Sequence, residues 1–307
     1  MTLFLPKYPL RCLTSWLVVA GVALVNGCTT QTTEGSSPAP AANSSPITET
    51  ATTTKAAVDP KQLDGAIAQY KTYVEKETDQ LVDKTKAFTD AVTAGELAKA
   101  QKLYAPTRVH WERSEPIAEL FSDLDGSVDA REDDFAKKAG DPNFTGFHRL
   151  EKTLFEEKTT AGTKPITQKL MQDVLTLQKR IAALKIKEKD MVGGAAALIE
   201  EVAATKISGE EDRYSKTDLW DFNANVEGSQ KIVELLRPLL TKADPALLSR
   251  VDNNFKTIND SLAKYKTSDG GFESYDKLTE ADRQTLKTVI AAQAEDLSKL
   301  RGTLGVS

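Results

Sequence analysis

Apolar residues return every three, four or seven positions along most of this chain, the spacing that lines one face of an α-helix. The first stripe is Ile67, Tyr70, Val74, Leu81 and Phe88. It predicts a long helix from the Asp59-Pro60 step to about residue 92, ended by Thr93-Ala94-Gly95. A second begins near Glu96 with Leu97, Ala100 and Tyr104, is kinked or interrupted at Pro106, and resumes through Val109, Trp111 and Glu115. The stretch 121–135 is acidic, poor in helix formers, and reads as a loop. Phe144, Phe147, Leu150 and Leu154 mark the next helix, and 162–165 a turn. Leu170, Val174, Leu177 and Ile181 predict a helix over 166–189, Gly193-Gly194 a break, and 195–205 another helix. After turn-forming residues 207–215, Thr217 is placed to cap a helix running to 239. Asp244-Pro245 opens one containing Leu247, Val251 and Ile258, and a last one spans 279–300 with Leu286, Val289, Ile290 and Leu297 inward. No segment alternates as a strand does, so the expected fold is all-α, a bundle of long antiparallel helices.

The first 57 residues do not share this periodicity. Lys7 and Arg11 precede an apolar run, 17–25, that is too short for a permanent membrane span, so 1–28 reads as an export signal. The run ends in Val25-Asn26-Gly27-Cys28, which resembles the lipobox of bacterial lipoproteins, in which the cysteine is acylated; a plain signal peptide cleaved nearby is the other reading. Residues 29–57 are Thr, Ser, Ala and Pro with almost no bulky apolar side chain, the composition of a disordered tether. The folded domain is therefore expected over 58–307, in an exported protein that is periplasmic or membrane-anchored by lipid at Cys28.

Composition narrows the chemistry. With 307 residues, 40% of them hydrophobic, the chain can bury a full core. Its net charge of -5 comes with interspersed signs and no basic stripe, which argues against a nucleic-acid partner. Both cysteines, Cys12 and Cys28, precede the folded part, which leaves it neither disulfide nor thiolate ligand. Any metal there is held by oxygen and imidazole, a set that suits iron, zinc, manganese or copper and leans toward the harder ions.

One of the two histidines stands in Asn143-Phe144-Thr145-Gly146-Phe147-His148-Arg149-Leu150-Glu151-Lys152. His148 and Glu151 are three apart, so a helix puts both on one face, able to reach one point; the bland alternative is an exposed helix start in a solvated salt network. Glu112 and Glu115 share the same spacing, with an exposed acidic face as their bland alternative. Asp123, Asp125, Asp129, Glu132, Asp133 and Asp134 crowd the segment before His148, though not in an EF-hand plan. His110, beside Trp111, reads as structural or exposed.

Several motifs fall in one order: Glu112-Arg113-Ser114-Glu115-Pro116-Ile117-Ala118-Glu119, then Asp123-Leu124-Asp125, then Phe144-Thr145-Gly146-Phe147-His148-Arg149-Leu150-Glu151, and finally Tyr214-Ser215 through Asp218-Leu219-Trp220-Asp221-Phe222-Asn223-Ala224-Asn225-Val226-Glu227-Gly228. Together, over about residues 58–304, they resemble the EfeO/EfeM-type imelysin-like family, first grouped with peptidases. The resemblance implies a bundle of two four-helix-like halves and a component of a ferrous iron uptake system, with an EfeU-type membrane permease and an EfeB-type haem peroxidase as partners. Only the low-complexity tether precedes the helices here, so the chain resembles the short form without a cupredoxin domain, and no copper site or ferrous oxidation is expected from such a domain. By the resemblance His148 and Glu151 are metal ligands, with Glu112 and Glu115 facing them. Asp129, Glu210 and Asp218, acidic residues of the matching segments, are further candidates.

The expected function is capture of iron, as Fe2+ or Fe3+, with Zn2+ and Cu2+ as other ions the site would take, and delivery to the permease; no enzymatic activity is expected. The alternative is an imelysin-family metallopeptidase. Against it, a zincin sets two histidines four apart around a glutamate, whereas His110 lies far upstream in a different motif. An anionic-polysaccharide module bridged by metal is a third class that no residue selects.

Overall fold

A computed structural model describes residues 60–306; the segments expected to be an export signal and a tether, with Cys28, lie outside them. The predicted periodicity becomes α1 (Pro60–Thr93), α2 (Leu97–Ala118), α5 (Lys164–Ala183), α6 (Glu188–Ala204), α7 (Asp218–Ala243), α8 (Pro245–Ala263) and α9 (Glu280–Ser298). Shorter helices are α3 (Ser122–Val128), α4 (Gly146–Glu151) and α10 (Leu300–Leu304). Among the described residues the only bridge of strand type is an isolated one, Lys266 to Phe272, so the fold is all-α.

Helices α1, α2 and α5 pack together as one half and α6 to α9 as the other. The two helices α1 and α2 are joined by only three residues and so run antiparallel. Thr93 meets Thr167 at one end of the α1–α5 contact, and Lys71 donates to the Ala182 carbonyl at the other, so α5 is antiparallel to α1 as well. The halves meet along α2 and α7. There Arg108 reaches Asp221 and Arg113 reaches Glu227, so the sequence numbers rise together and these two helices are parallel. Tyr70, Val74, Leu81 and Phe88 are buried as their spacing predicted, whereas Ile67 is only partly so.

Five features differ from expectation. Helix α2 continues through Pro106 without interruption; Thr107 donates its hydroxyl to the Leu103 carbonyl at 2.7 Å, and packing against α1 and α7 holds both sides of the proline in line. Residues 122–128 form α3 instead of loop. Helix α5 stops at Ala183, where Leu184 turns extended and Ile186 drops into the core. Helix α6 begins at Glu188 and runs through Gly193-Gly194, because a side chain at Gly194 would meet the Pro116 ring at 2.8 Å; the glycine there serves close packing and not a break. Thr217 does not cap α7 with its side chain, which donates instead to Asp212.

The most constrained point is the entry to α4. Gly146 has φ +77°, and a Cβ there would collide with the carbonyl oxygen of Val128, the last residue of α3. This contact presses the start of the His148 helix against the end of α3. Gly146→Ala should lower stability by about 2–3 kcal/mol, combining left-handed strain with a backbone clash. Gly65→Ala, inside α1 with nothing within 4 Å of the new Cβ, should raise it by about 0.5–1 kcal/mol. Urea unfolding of the two variants measures both.

Candidate metal centre

The polar cluster between the halves is assembled by α2, α4, α7, the residue after α3, and the irregular segment 205–217. On α2, Arg108, Glu112 and Glu115 recur at helical spacing and are all buried. From α7 come Asp218, Asp221 and Asn225, also buried. Because Gly146 seats α4 on the end of α3, His148 lies beside Asp129. The helix then widens into a π-helical turn over Lys152–Glu156, a form often found next to functional groups. Glu211 and Asp212, from the turn before α7, complete the ring.

His148 is 2% exposed. Its Nδ1 bonds Glu151 Oε2 at 3.2 Å, while Nε2 is buried without any hydrogen-bond partner. That nitrogen faces Asp129 Oδ1 and Glu211 Oε1, each at 3.6 Å, too long for a hydrogen bond. Asp129, His148 and Glu211 can thus offer three ligand atoms within 4.8 Å of one another, and so can Glu112, Glu211 and Asp221. His148, Glu151 and Asp212 form a third such group, whose oxygens are held by fixed backbone, hydroxyl and imidazole donors and not by a mobile cation. Glu151 Oε1 accepts from the Tyr214 and Ser215 amides and the Ser215 hydroxyl at 2.8–2.9 Å, and Asp212 accepts from Tyr104 and Thr217.

Of the residues singled out by sequence, His148, Glu151, Glu112, Glu115, Asp129 and Asp218 are brought together. Glu112 and Glu115 are tied by Asn225 Nδ2 at 3.1 and 2.9 Å. Asp218 Oδ1 accepts from the Glu211 and Asp212 amides, which places it behind the cluster as a brace. Glu210 is the exception. Its side chain is exposed and pairs with Arg213 at the rim, because the turn sends its neighbours Glu211 and Asp212 inward and leaves it outside. Unforeseen members are Arg108, Lys206, Glu211, Asp212, Asp221 and Asn225. The i, i+4, i+7 polar stripe of Arg108, Glu112 and Glu115 between Tyr104 and Trp111 was the signal for the first of these. His110 bonds Glu77 at 2.8 Å in a separate contact between α1 and α2.

Eight carboxyl groups therefore gather around two fully buried cations, and five of them, Glu112, Asp129, Glu211, Asp212 and Asp221, lie within ion-pair distance of one, with Arg131 reaching Glu211 from the rim. Arg108 donates to Glu112 at 2.5 Å, Asp221 at 2.9 Å, Glu211 at 3.1 Å and to Asp129, and its guanidinium lies over the Tyr104 and Phe147 rings. Lys206 Nζ sits 3.2 Å from Glu112 Oε2 and 3.6 Å from Glu211 Oε1, in ion pairs without aligned hydrogen bonds. Negative charge remains in excess, and the carboxyl groups register it. Burial, with Asp129 and Glu211 adding to it, pushes Glu112 up to about 7. Burial beside Asp212 pushes Asp218 up to about 7. Burial likewise drives Glu115 and Asp221 well above the ordinary carboxylate range. Glu211 goes the other way: burial would raise it, but Lys206, His148 and Arg131 hold it well below. For His148, burial and Arg108 oppose the charged ring, yet the neighbouring Glu151, Glu211 and Asp129 carboxylates win and raise it to about 9.

The signs combine. Raised carboxyls stabilise the fold fully below their unfolded values of 4.5 and 3.8 and lose that contribution as pH rises through about 7. His148 contributes fully below 6.5 and loses it as pH rises through about 9. All three act in one direction, so chelator-treated protein should be more stable at pH 6 than at pH 8.5, by on the order of 3 kcal/mol. Urea unfolding at the two pH values checks it.

The Imelysin family profile matches residues 66–302. The chain is 67% identical over 244 residues to the iron uptake system component EfeO of Shigella boydii, covering 80% of this chain and 65% of that protein. It is 65% identical over 248 residues to EfeO of Yersinia pseudotuberculosis, covering 81% and 66%, and 66% identical over 244 residues to EfeO of Escherichia coli K12, covering 80% and 65%. It thus spans about two thirds of the length of these relatives. A match over most of the folded region, with identity at this level, makes the chain a member of the imelysin family.

Proposed function

We propose that this chain binds iron as the cargo of an uptake system, holding it between the two halves of the bundle through His148 Nε2 and the surrounding carboxylates. The observation that carries the reading is the orphaned ring nitrogen. A buried polar atom without a partner is costly, and here it faces two carboxylate oxygens across a gap that a cation would close. Asp129 and Glu211 are the proposed partners of Nε2, with Glu112, Glu115 and Asp221 supplying further oxygens. Glu151 is assigned the task of orienting the ring: its bond to Nδ1 keeps a proton on that nitrogen while the arriving ion displaces the one on Nε2. Asp218 braces the turn that delivers Glu211.

An oxygen-rich set with one imidazole suits a hard or borderline ion, which favours iron over softer metals. The excess of buried carboxylates favours capture of a multiply charged cation. The names of the similar proteins, iron uptake system component EfeO, support the same reading. In it the chain acts outside the cytoplasm, tethered by lipid at Cys28, and passes iron to a membrane permease alongside a haem peroxidase. The peptidase reading is weaker, because a zinc peptidase wants a second imidazole at the ion and His110 is committed to Glu77.

Titration of the metal-stripped protein with Fe(II) under anaerobic conditions, and with Fe(III), Zn(II) and Cu(II), tests this. His148→Ala should weaken iron binding by more than about a hundredfold, and Glu151→Ala, acting through ring orientation, by about ten- to a hundredfold. Unchanged iron affinity in both variants overturns the reading. Peptide cleavage that survives purification and disappears in Glu151→Ala would install the peptidase in its place.

A further inference from the structure

Arg108 already holds the oxygens that His148 faces. Its Nη1 donates to Asp129 Oδ1 and its Nη2 to Glu211 Oε1, the same two atoms that lie 3.6 Å from His148 Nε2. The second ligand group is also gathered on this side chain, since Nη2 donates to Glu112 Oε1 and Nε to Asp221 Oδ2. An ion bound at His148 Nε2 therefore competes with one guanidinium for every carboxylate it would use first.

We propose that Arg108 is a built-in competitor for the cargo: it bonds Asp129 Oδ1 and Glu211 Oε1 when the ion is away, yields them when the ion arrives, and by doing so lowers affinity and speeds release. The inference rests on the reading that His148 Nε2 ligates iron. Three features of the surroundings fit the role. A guanidinium stays charged at every physiological pH, so it compensates the emptied carboxylates without waiting for protons. It also has somewhere to go. Asp221 Oδ1 is buried without a hydrogen-bond partner, and Asp212 Oδ1 stands 3.6 Å from Nε, so the head can draw toward α7 and remain paired. Finally, the Tyr104 and Phe147 rings, 5.9 and 5.6 Å from the guanidinium carbon, flank the head and keep it inside the cluster after it lets go.

Lys206 does not share the role. Its ammonium pairs with Glu112 and Glu201 and stands 3.6 Å from Glu211 Oε1 without a hydrogen bond, and it is not within ion-pair distance of Asp129, so it offsets charge but cannot hold both oxygens that His148 faces.

The test uses the full chain, stripped of metal, at fixed pH, with Fe(II) under anaerobic conditions and Zn(II) as a redox-inert probe. Wild type and His148→Ala come first: if both bind iron equally, the site reading itself fails, whatever Arg108 does. Given binding that depends on His148, Arg108→Gln should bind Fe(II) and Zn(II) about ten- to a hundredfold more tightly, the worth of one or two charge-assisted hydrogen bonds, and release them to a chelator correspondingly more slowly. Equal or weaker affinity in Arg108→Gln overturns the proposal. Should that variant fold only with metal, two measurements decide. Arg108→Lys keeps the charge but cannot span Asp129 and Glu211 together, and should tighten binding by a smaller factor; equal or weaker binding overturns the proposal. In wild type with nitrogen-15-labelled arginine, the Arg108 guanidinium resonances should move on saturation with Zn(II), and resonances that stay in place overturn it.

Discussion

A buried excess of negative charge between α2 and α7 is the constraint around which this bundle is built. Each ionised carboxylate taken out of water costs several kcal/mol unless it is paired and hydrogen-bonded, and eight carboxyl groups, seven of them buried, gather here. Hydrophobic packing alone cannot accommodate that. The cluster is tolerated because Arg108 and Lys206 are buried with it, because Asn225 bridges Glu112 and Glu115, and because four backbone amides turn their hydrogens toward Glu151 and Asp218. Within the cluster, His148 Nε2, Lys206 Nζ, Asp221 Oδ1, Asp218 Oδ2 and Asn225 Oδ1 remain without a hydrogen bond.

The irregular segments follow from the same constraint. Inside a helix the backbone N–H groups are spent on carbonyls four residues back, so a helix can present side chains to a buried carboxylate but few amides. The turn 205–217 is not helical across Glu211, Asp212, Tyr214 and Ser215, and those are the residues whose amides hold Asp218 and Glu151. The loop thus provides donors that the flanking helices cannot. A similar logic applies to α4. It is short, it begins at a glycine pressed on the end of α3, and it opens at once into a π-turn, so His148 and Glu151 are placed by the segments around them and not by a long helix of their own.

How far the sequence disclosed this depends on which side of each helix is asked about. Long helices were legible because Tyr70, Val74, Leu81 and Phe88, or Leu170, Val174, Leu177 and Ile181, repeat at a helical period and are buried as that period requires. Pro106 and Gly193-Gly194 misled because residue identity reports local preference, whereas both lie in helices fixed by packing on two sides; the small residue at 194 answers to Pro116 across the interface. The site was half legible. His148 with Glu151, and Glu112 with Glu115, announce themselves by spacing. Arg108 did not, since a polar residue at helical period is ordinarily taken for the solvent face, and only the absence of a solvent face on that part of α2 makes it interior. Glu210, Glu211 and Asp212 are three adjacent acids in a turn, where no periodicity tells which of them points inward.

A site for a passing ion has a harder electrostatic task than one for a resident ion. A resident ion can be the sole counter-charge of its ligands, because the empty state is never needed. A carrier must remain folded both with and without two or three positive charges at the centre of its core. Protonation of the carboxylates is one solution, and for Glu112 and Asp218, raised to about 7, it fades as pH rises above neutrality. A fixed cation able to change partners is another, and it works at any pH. In the proposed role, with Arg108 placed on the oxygens that His148 faces and an unpaired Asp221 oxygen beside it, the emptied cluster would keep its charge balance by moving a side chain a short distance, leaving the helices where packing has set them.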